Sequence, residues 1–92
     1  MTNPMVEELK KLVSQAQRET EDRLKQFPEY GPYIHAKSQL SFIKNKLDNL
    51  ESINKEVKNS INIGIMAVKE LDASEPEYAR LLMKISTRFK EL

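Results

Sequence analysis

The chain has 92 residues, with 15 Lys and Arg side chains against 14 Asp and Glu side chains and a formal net charge of +1. This length predicts a single helical domain, residues 1–92, with one modest hydrophobic core. The near-neutral charge argues against nucleic acid and anionic membranes as partners, and a sequence without cysteine excludes disulfides and thiolate chemistry.

Charge is also evenly spread along the chain. Residues 1–27 hold five basic and five acidic side chains, and residues 59–92 again hold five of each. The charged start of the sequence lacks the apolar run of a signal peptide, and no stretch approaches the roughly 18 apolar residues that a membrane span needs. We therefore expect a soluble cytoplasmic protein.

The first helix is predicted to run from Pro4 to about Gln26. Asn3 precedes Pro4, and asparagine before a proline at the first helical position is a favourable helix start. The turn at residues 27–32, which contains two prolines and a glycine, ends the helix. Its apolar stripe at three-and-four spacing consists of Met5, Leu9, Leu12, Val13, Ala16, Thr20, Leu24 and Phe27.

The second and third helices are predicted to follow after short connections. Pro32 opens the second helix, whose stripe is Tyr33, Ala36, Leu40, Ile43, Leu47 and Leu50. The third begins near residue 51 or 52, and its stripe is Ile53, Val57, Ile61, Gly64, Val68 and Leu71. Glycine costs about 1 kcal/mol relative to alanine inside a helix, so Gly64 predicts an element packed close to the backbone.

The fourth helix has two candidate starts. Ser74 and Glu77 fit a capping box, whereas Glu75 as the cap with Pro76 at the first helical position is the alternative. Its stripe is Tyr78, Leu82, Ile85, Phe89 and Leu92, with Leu81 beside it. Four helices with short connections predict an all-α fold, a small antiparallel four-helix bundle.

Four segments of the chain carry a pattern that matches a known family. They are Phe27-Pro28-Glu29-Tyr30; Ala36, Gln39, Leu40, Phe42 and Ile43; Gly64 with residues 67–72; and Pro76-Glu77. Together they resemble the small immunity proteins of type VI secretion systems that neutralise NAD(P)+-hydrolysing toxins. The resemblance covers roughly residues 20–85. It implies that the chain binds a cognate effector toxin domain and occludes its active site, without turnover and without a cofactor.

Six residues are the predicted partner contacts: Tyr30, Tyr33, Gln39, Lys69, Glu70 and Asp72. His35 and Lys37 are secondary candidates. The tyrosines either cap the bundle end or form a rigid anchor patch, and the charged residues either form a solvated helix end or recognise a partner. Gln39 bonds either across the bundle or to the partner.

Two other classes of function stay open. His35 with Lys37 is similar to a histidine phosphotransfer module, although Ser38 stands where such modules have a glycine beside the lysine. A structural helical adaptor or weak homodimer would associate through an apolar seam. One histidine and no cysteine argue against a metal site and against enzymatic activity.

Overall fold

A computed structural model describes residues 3–92, and within them the chain forms helices and no strand. The α-helices are α1 (Pro4–Gln26), α2 (Gly31–Leu47), α3 (Lys55–Asn59), α4 (Ile63–Glu70) and α5 (Pro76–Lys90), and a 3-10 turn spans Leu50–Ser52. α1 packs against α2 and α5, and α4 packs against the same two helices. The predicted all-α four-helix bundle is confirmed, with the segment from the 3-10 turn to α4 as its third member.

The prediction of one continuous third helix is wrong. Asn54 caps α3, because its side chain accepts a hydrogen bond from the amide of Val57 at 2.9 Å. The hydroxyl of Ser60 then bonds to the carbonyl of Val57 at 2.6 Å where α3 ends, and α4 starts after Asn62. Short polar side chains compete in this way with the helical hydrogen bonds of the backbone.

This break changes which residues of the third member are buried. Ile61 and Leu71 are buried as predicted, and Ile63 and Ala67 join them in the core. Val68, which the uninterrupted stripe placed in the core, is instead 53% exposed. The chain segment between α3 and α4 is not helical. Three-and-four spacing counted across this segment therefore no longer identifies the buried face of α4.

Three other stripe residues lie outside the core. Met5 at the start of α1 is half-exposed, and the neighbouring Val6 is buried in its place. Phe27 follows the last residue of α1 and is exposed. α2 ends at Leu47 instead of reaching Leu50, which lies exposed in the 3-10 turn.

The close approach that Gly64 predicts is confirmed. A β-carbon added to Gly64 would lie 3.0 Å from the Cβ of Ser86 and 3.1 Å from its Oγ. Ser86 is a buried residue of α5. The missing side chain at Gly64 therefore sets the distance between α4 and α5.

Of the two candidate starts for the last helix, the structure has the second. Glu75 occupies the N-cap position of α5 and Pro76 the first helical position. The Glu75 side chain makes no capping hydrogen bond to α5, because it reaches across to α1 and α2.

We expect Gly64→Ala to lower the free energy of unfolding by about 1–2 kcal/mol. Alanine favours a helix by about 1 kcal/mol, but the added methyl group meets a β-carbon of α5 that only a helix shift would move. Thermal denaturation followed by circular dichroism measures the effect.

Gly31→Ala is the matched control, since apart from the two chain neighbours nothing lies within 4 Å of a β-carbon added at Gly31. This variant should lose less stability than Gly64→Ala, because only the steric preference of a residue before Pro32 opposes the added methyl group. A Gly64→Ala variant that melts as high as Gly31→Ala would contradict the close contact.

Candidate functional site

Two connections of the chain meet at one end of the bundle and enclose a cleft. The turn between α1 and α2 supplies Phe27 and Tyr30, α2 supplies Tyr33, and the connection between α4 and α5 supplies Ser74 and Glu75. These five residues, hereafter the aromatic end, line a cleft of about 540 Å³. The cleft combines three aromatic side chains with one carboxylate.

The three aromatic rings of the aromatic end form a layered group. Tyr33 is buried, 6% exposed, and its ring lies 6.1 Å from that of Tyr78 in the core. Tyr30 packs edge-on against Tyr33 with ring centroids 4.7 Å apart, and the ring centroid of Phe27 lies 6.5 Å from that of Tyr33. Tyr30 and Phe27 are 42% and 57% exposed. The buried Tyr33 thus supports two rings that face solvent.

The Glu75 carboxylate joins three helices below these rings. Its Oε1 accepts a hydrogen bond from the Nε of Arg23 on α1 at 2.6 Å. Its Oε2 accepts a hydrogen bond from the hydroxyl of Tyr33 on α2. Arg23 also donates through Nη1 to the carbonyl of Glu19 at 3.0 Å, and its guanidinium lies 3.9 Å above the ring of Tyr78.

These contacts shift the ionisation of their members. Burial and the hydrogen bond to Glu75 raise the pKa of Tyr33 to about 12. Burial raises the pKa of Tyr78 as well, against the opposing effects of Thr20 and Arg23. Burial lowers the pKa of Arg23, but the hydrogen bond and charge of Glu75 outweigh it, so the net shift is upward. The structure therefore favours neutral tyrosines and a charged Arg23.

Carboxylates are concentrated around the aromatic end. Residues 19–37 and 69–77, which lead into and out of it, together hold eight acidic and four basic side chains, although the whole chain is nearly neutral. Lys37 forms an ion pair with Glu21 at 3.0 Å, and Lys25 lies 3.8 Å from Asp22. Acidic side chains therefore outnumber basic ones within these two stretches, with Arg18 and Arg80 just beyond their ends.

Five of the six predicted contact residues lie at or next to the aromatic end. Tyr30 and Tyr33 are part of it. Lys69 and Glu70 are exposed in the last turn of α4, and Asp72 is exposed in the connection that leads to Glu75. Tyr33 offers a partner little surface of its own and acts as the support for Tyr30.

Gln39, the sixth, makes its hydrogen bonds across the bundle. Its Oε1 accepts from the amides of Asn62 and Ile63 at 3.0 and 3.1 Å, and its Nε2 donates to the carbonyl of Ser60 at 3.3 Å. Gln39 thereby satisfies free amides at the start of α4. It lies six residues, or about 9 Å, along α2 from Tyr33.

The secondary candidates also have partners within the chain. The Nε2 of His35 lies 2.7 Å from the Oδ1 of Asn62, and Lys37 pairs with Glu21. Across residues 3–92, no group of His, Asp and Glu side chains is placed to hold a metal ion. None of the helices described is long and apolar enough to cross a membrane.

Sequence reasoning missed several residues of this region. Arg23 and Glu75 were not predicted to meet, since 52 residues separate them. Ile65 and Val68 form an exposed apolar pair on α4 next to Lys69. The signal for this pair was present, because the eight residues of α4 hold more large apolar side chains than one buried stripe accommodates.

The fold and the aromatic end are those of a small helical bundle that presents exposed side chains on a preformed surface, as a binding protein does. A family model, Tsi6, matches residues 8–91, and the chain belongs to the Tsi6 family. The immune protein Tsi6 of Pseudomonas aeruginosa strain PAO1 is 34% identical over 61 residues, which is 66% of this chain and 64% of that protein. The aligned stretch thus spans less than two thirds of the relative's length.

Solved structures agree with this assignment. The chain is similar to a structure of Tsi6 from Pseudomonas aeruginosa with a TM-score of 0.78 and 26% identity, covering 88% of this chain and 93% of that one. It is equally similar to Tsi6 in a structure of Tse6 in complex with Tsi6, with a TM-score of 0.78, 27% identity and coverage of 88% and 85%. The resemblance to type VI immunity proteins is confirmed.

We expect Glu75→Gln to destabilise the protein by about 2 kcal/mol, because it removes the charge that compensates the half-buried Arg23. Urea denaturation measures the change. Glu21→Gln is the matched control: it breaks the ion pair with Lys37, which is half-exposed, and should cost less than about 0.5 kcal/mol. Equal effects of the two substitutions would contradict a structural role for Glu75.

We expect the stability of the protein to decline between about pH 10 and pH 12. The unfolded chain loses the Tyr33 proton near pH 10, whereas the folded chain retains it to about pH 12, so the unfolded state is favoured as the pH rises through this window. Thermal melts from pH 8 to 11.5 measure the decline. Tyr33→Phe should reduce the slope of this decline, and a Tyr33→Phe variant with the wild-type slope would contradict the assignment.

Proposed function

We propose that this chain is an immunity protein that binds a cognate antibacterial effector toxin in the cytoplasm of the producing bacterium and occludes the toxin's active site. The observation that carries the proposal is the likeness of most of the chain to Tsi6 as found in the complex with Tse6. Inhibition is stoichiometric, so the chain needs neither a cofactor nor a reaction of its own.

The charge of the aromatic end supports an effector that uses a nucleotide. Sites that bind phosphate groups present backbone amides and basic side chains, and they are therefore electropositive. An acidic surface is complementary to such a site and would accelerate encounter with it. We therefore propose an NAD(P)+ glycohydrolase, or a related nucleotide-using toxin, as the effector.

The contact surface of the proposal centres on the aromatic end and the last turn of α4. Tyr30, Lys69, Glu70 and Asp72 are exposed there, and Tyr33 holds Tyr30 in place. Gln39 contributes by fixing the start of α4. Because these side chains rest on packed helices, little ordering free energy is lost when a partner binds.

The test is co-expression of this chain with the effector domain encoded beside its gene, with NAD+ consumption measured in the same preparation. A one-to-one complex in which NAD+ loss stops is the expected result. A complex whose free effector consumes no NAD+ would retain the immunity function and overturn the substrate. If no complex forms, the immunity function is wrong, and phosphorylation of His35 and self-association become the functions to measure.

Reversal of charge at Lys69 and Glu70 together, Lys69→Glu with Glu70→Lys, should weaken the complex about tenfold while leaving helicity intact. The matched control is Lys90→Glu with Glu91→Lys, an exposed pair at the far end of α5, about 21 Å along its axis from Pro76. Isothermal titration gives both affinities. Unchanged affinity of the first variant would remove α4 from the contact surface.

A further inference from the structure

We infer that the cleft of the aromatic end receives a basic side chain, Lys or Arg, from the effector. This inference rests on the proposed function and adds a contact to it: the chemistry that the cleft recognises. Three observations lead to it, namely the exposed ring faces, the charge around them and the way in which the chain binds its own Arg23.

The exposed rings of the cleft pack against Tyr33 on one side and leave their other side open to solvent. Phe27 and Tyr30 are both exposed, and both line the cleft. The cation–π contacts within the described chain are those of Arg23 with Tyr78 and Lys46 with Phe42. No cation among residues 3–92 therefore covers Phe27 or Tyr30.

The charge around the rings selects a cation over an apolar occupant. Asp22 and Arg23 line the cavity that adjoins the cleft, and Glu75, which is paired with Arg23, lines both cavities. Glu29 is exposed in the turn between Phe27 and Tyr30. An aromatic face attracts a cation through its quadrupole, and nearby carboxylates add to that attraction. An apolar partner that covered this turn would bury the Glu29 carboxylate without compensation.

The chain already binds a basic side chain by the same means. Arg23 lies over the ring of Tyr78 and donates to the carboxylate of Glu75, in the layer directly below the cleft. Tyr33 lies between the two layers, because its ring neighbours are Tyr78 in the core and Tyr30 and Phe27 at the surface. A basic side chain of the effector, its stem against Phe27 and its charge over Tyr30, would repeat this arrangement at the surface.

The competing apolar surface has a different composition. Ile65 and Val68 on α4 are exposed, but neither is aromatic and neither lines the cleft. A partner bound there would gain aliphatic contact beside Lys69 and Glu70, without an aromatic ring. The aromatic end therefore carries the more specific recognition.

The test measures the affinity of the full chain for its effector domain in four variants. Tyr30→Leu and Phe27→Leu should each weaken binding about tenfold, because they remove a ring and keep an apolar side chain. Tyr30→Phe should stay within twofold of wild type, since it keeps the ring. Met5→Leu, at the opposite end of α1, is the control for an exposed apolar position and should also stay within twofold.

Replacement of the effector's exposed Lys and Arg residues by Met, one at a time, then identifies the side chain that enters the cleft. For one of them, the loss caused by Tyr30→Leu should vanish, because the two substitutions remove the same contact. Tyr30 makes no side-chain capping bond to α2, so circular dichroism should show unchanged helicity.

Every other outcome would contradict the proposed function, the contact at the cleft or the basic side chain as its occupant. Wild-type chain that fails to bind the effector overturns the proposed function and this inference together. Wild-type binding that Tyr30→Leu leaves unchanged overturns the cleft contact alone. Equal losses for Tyr30→Leu and Tyr30→Phe would assign recognition to the hydroxyl, and a loss coupled to no basic effector residue would assign it to apolar contact.

Discussion

The aromatic end of the bundle depends on the hydrogen bonds that the Glu75 carboxylate accepts. Glu75 stands at the N-cap position of α5, yet its side chain bonds to Arg23 of α1 and Tyr33 of α2. One side chain therefore joins three helices where the chain twice reverses direction. A half-buried carboxylate without such partners would be costly, so the three side chains hold each other in place.

Single side chains also order the start of α4 and the start of α2. Gln39 accepts hydrogen bonds from the first amides of α4, and Gly64 lets the helix lie against Ser86 of α5. At the start of α2, the buried ring of Tyr33 supports the exposed ring of Tyr30. The surface that we assign to the effector is thus ordered before binding, which reduces the entropy lost on association.

Charges counted along the sequence do not show how charge is distributed over the folded chain. The first 27 residues and the last 34 are each neutral, and the sequence shows no acidic block. The fold nevertheless brings residues 19–37, with four acidic and three basic side chains, next to residues 69–77, with four acidic and one basic. The two stretches together carry a surplus of acidic side chains that neither end of the sequence shows. This surplus is complementary to the nucleotide-binding site that we propose for the effector.

The sequence by itself determined the helical class, the extent of α1, the family resemblance and the close contact at Gly64. Helical periodicity and glycine cost are local properties, so they can be identified from neighbouring residues. The tertiary structure alone decided the exposure of Val68, because residues 60–62 interrupt the helical phase. It also decided the bond between Tyr33 and Glu75, which lie 42 residues apart. No periodicity specifies such a pair, since it forms only when packing of the whole bundle brings two distant connections together.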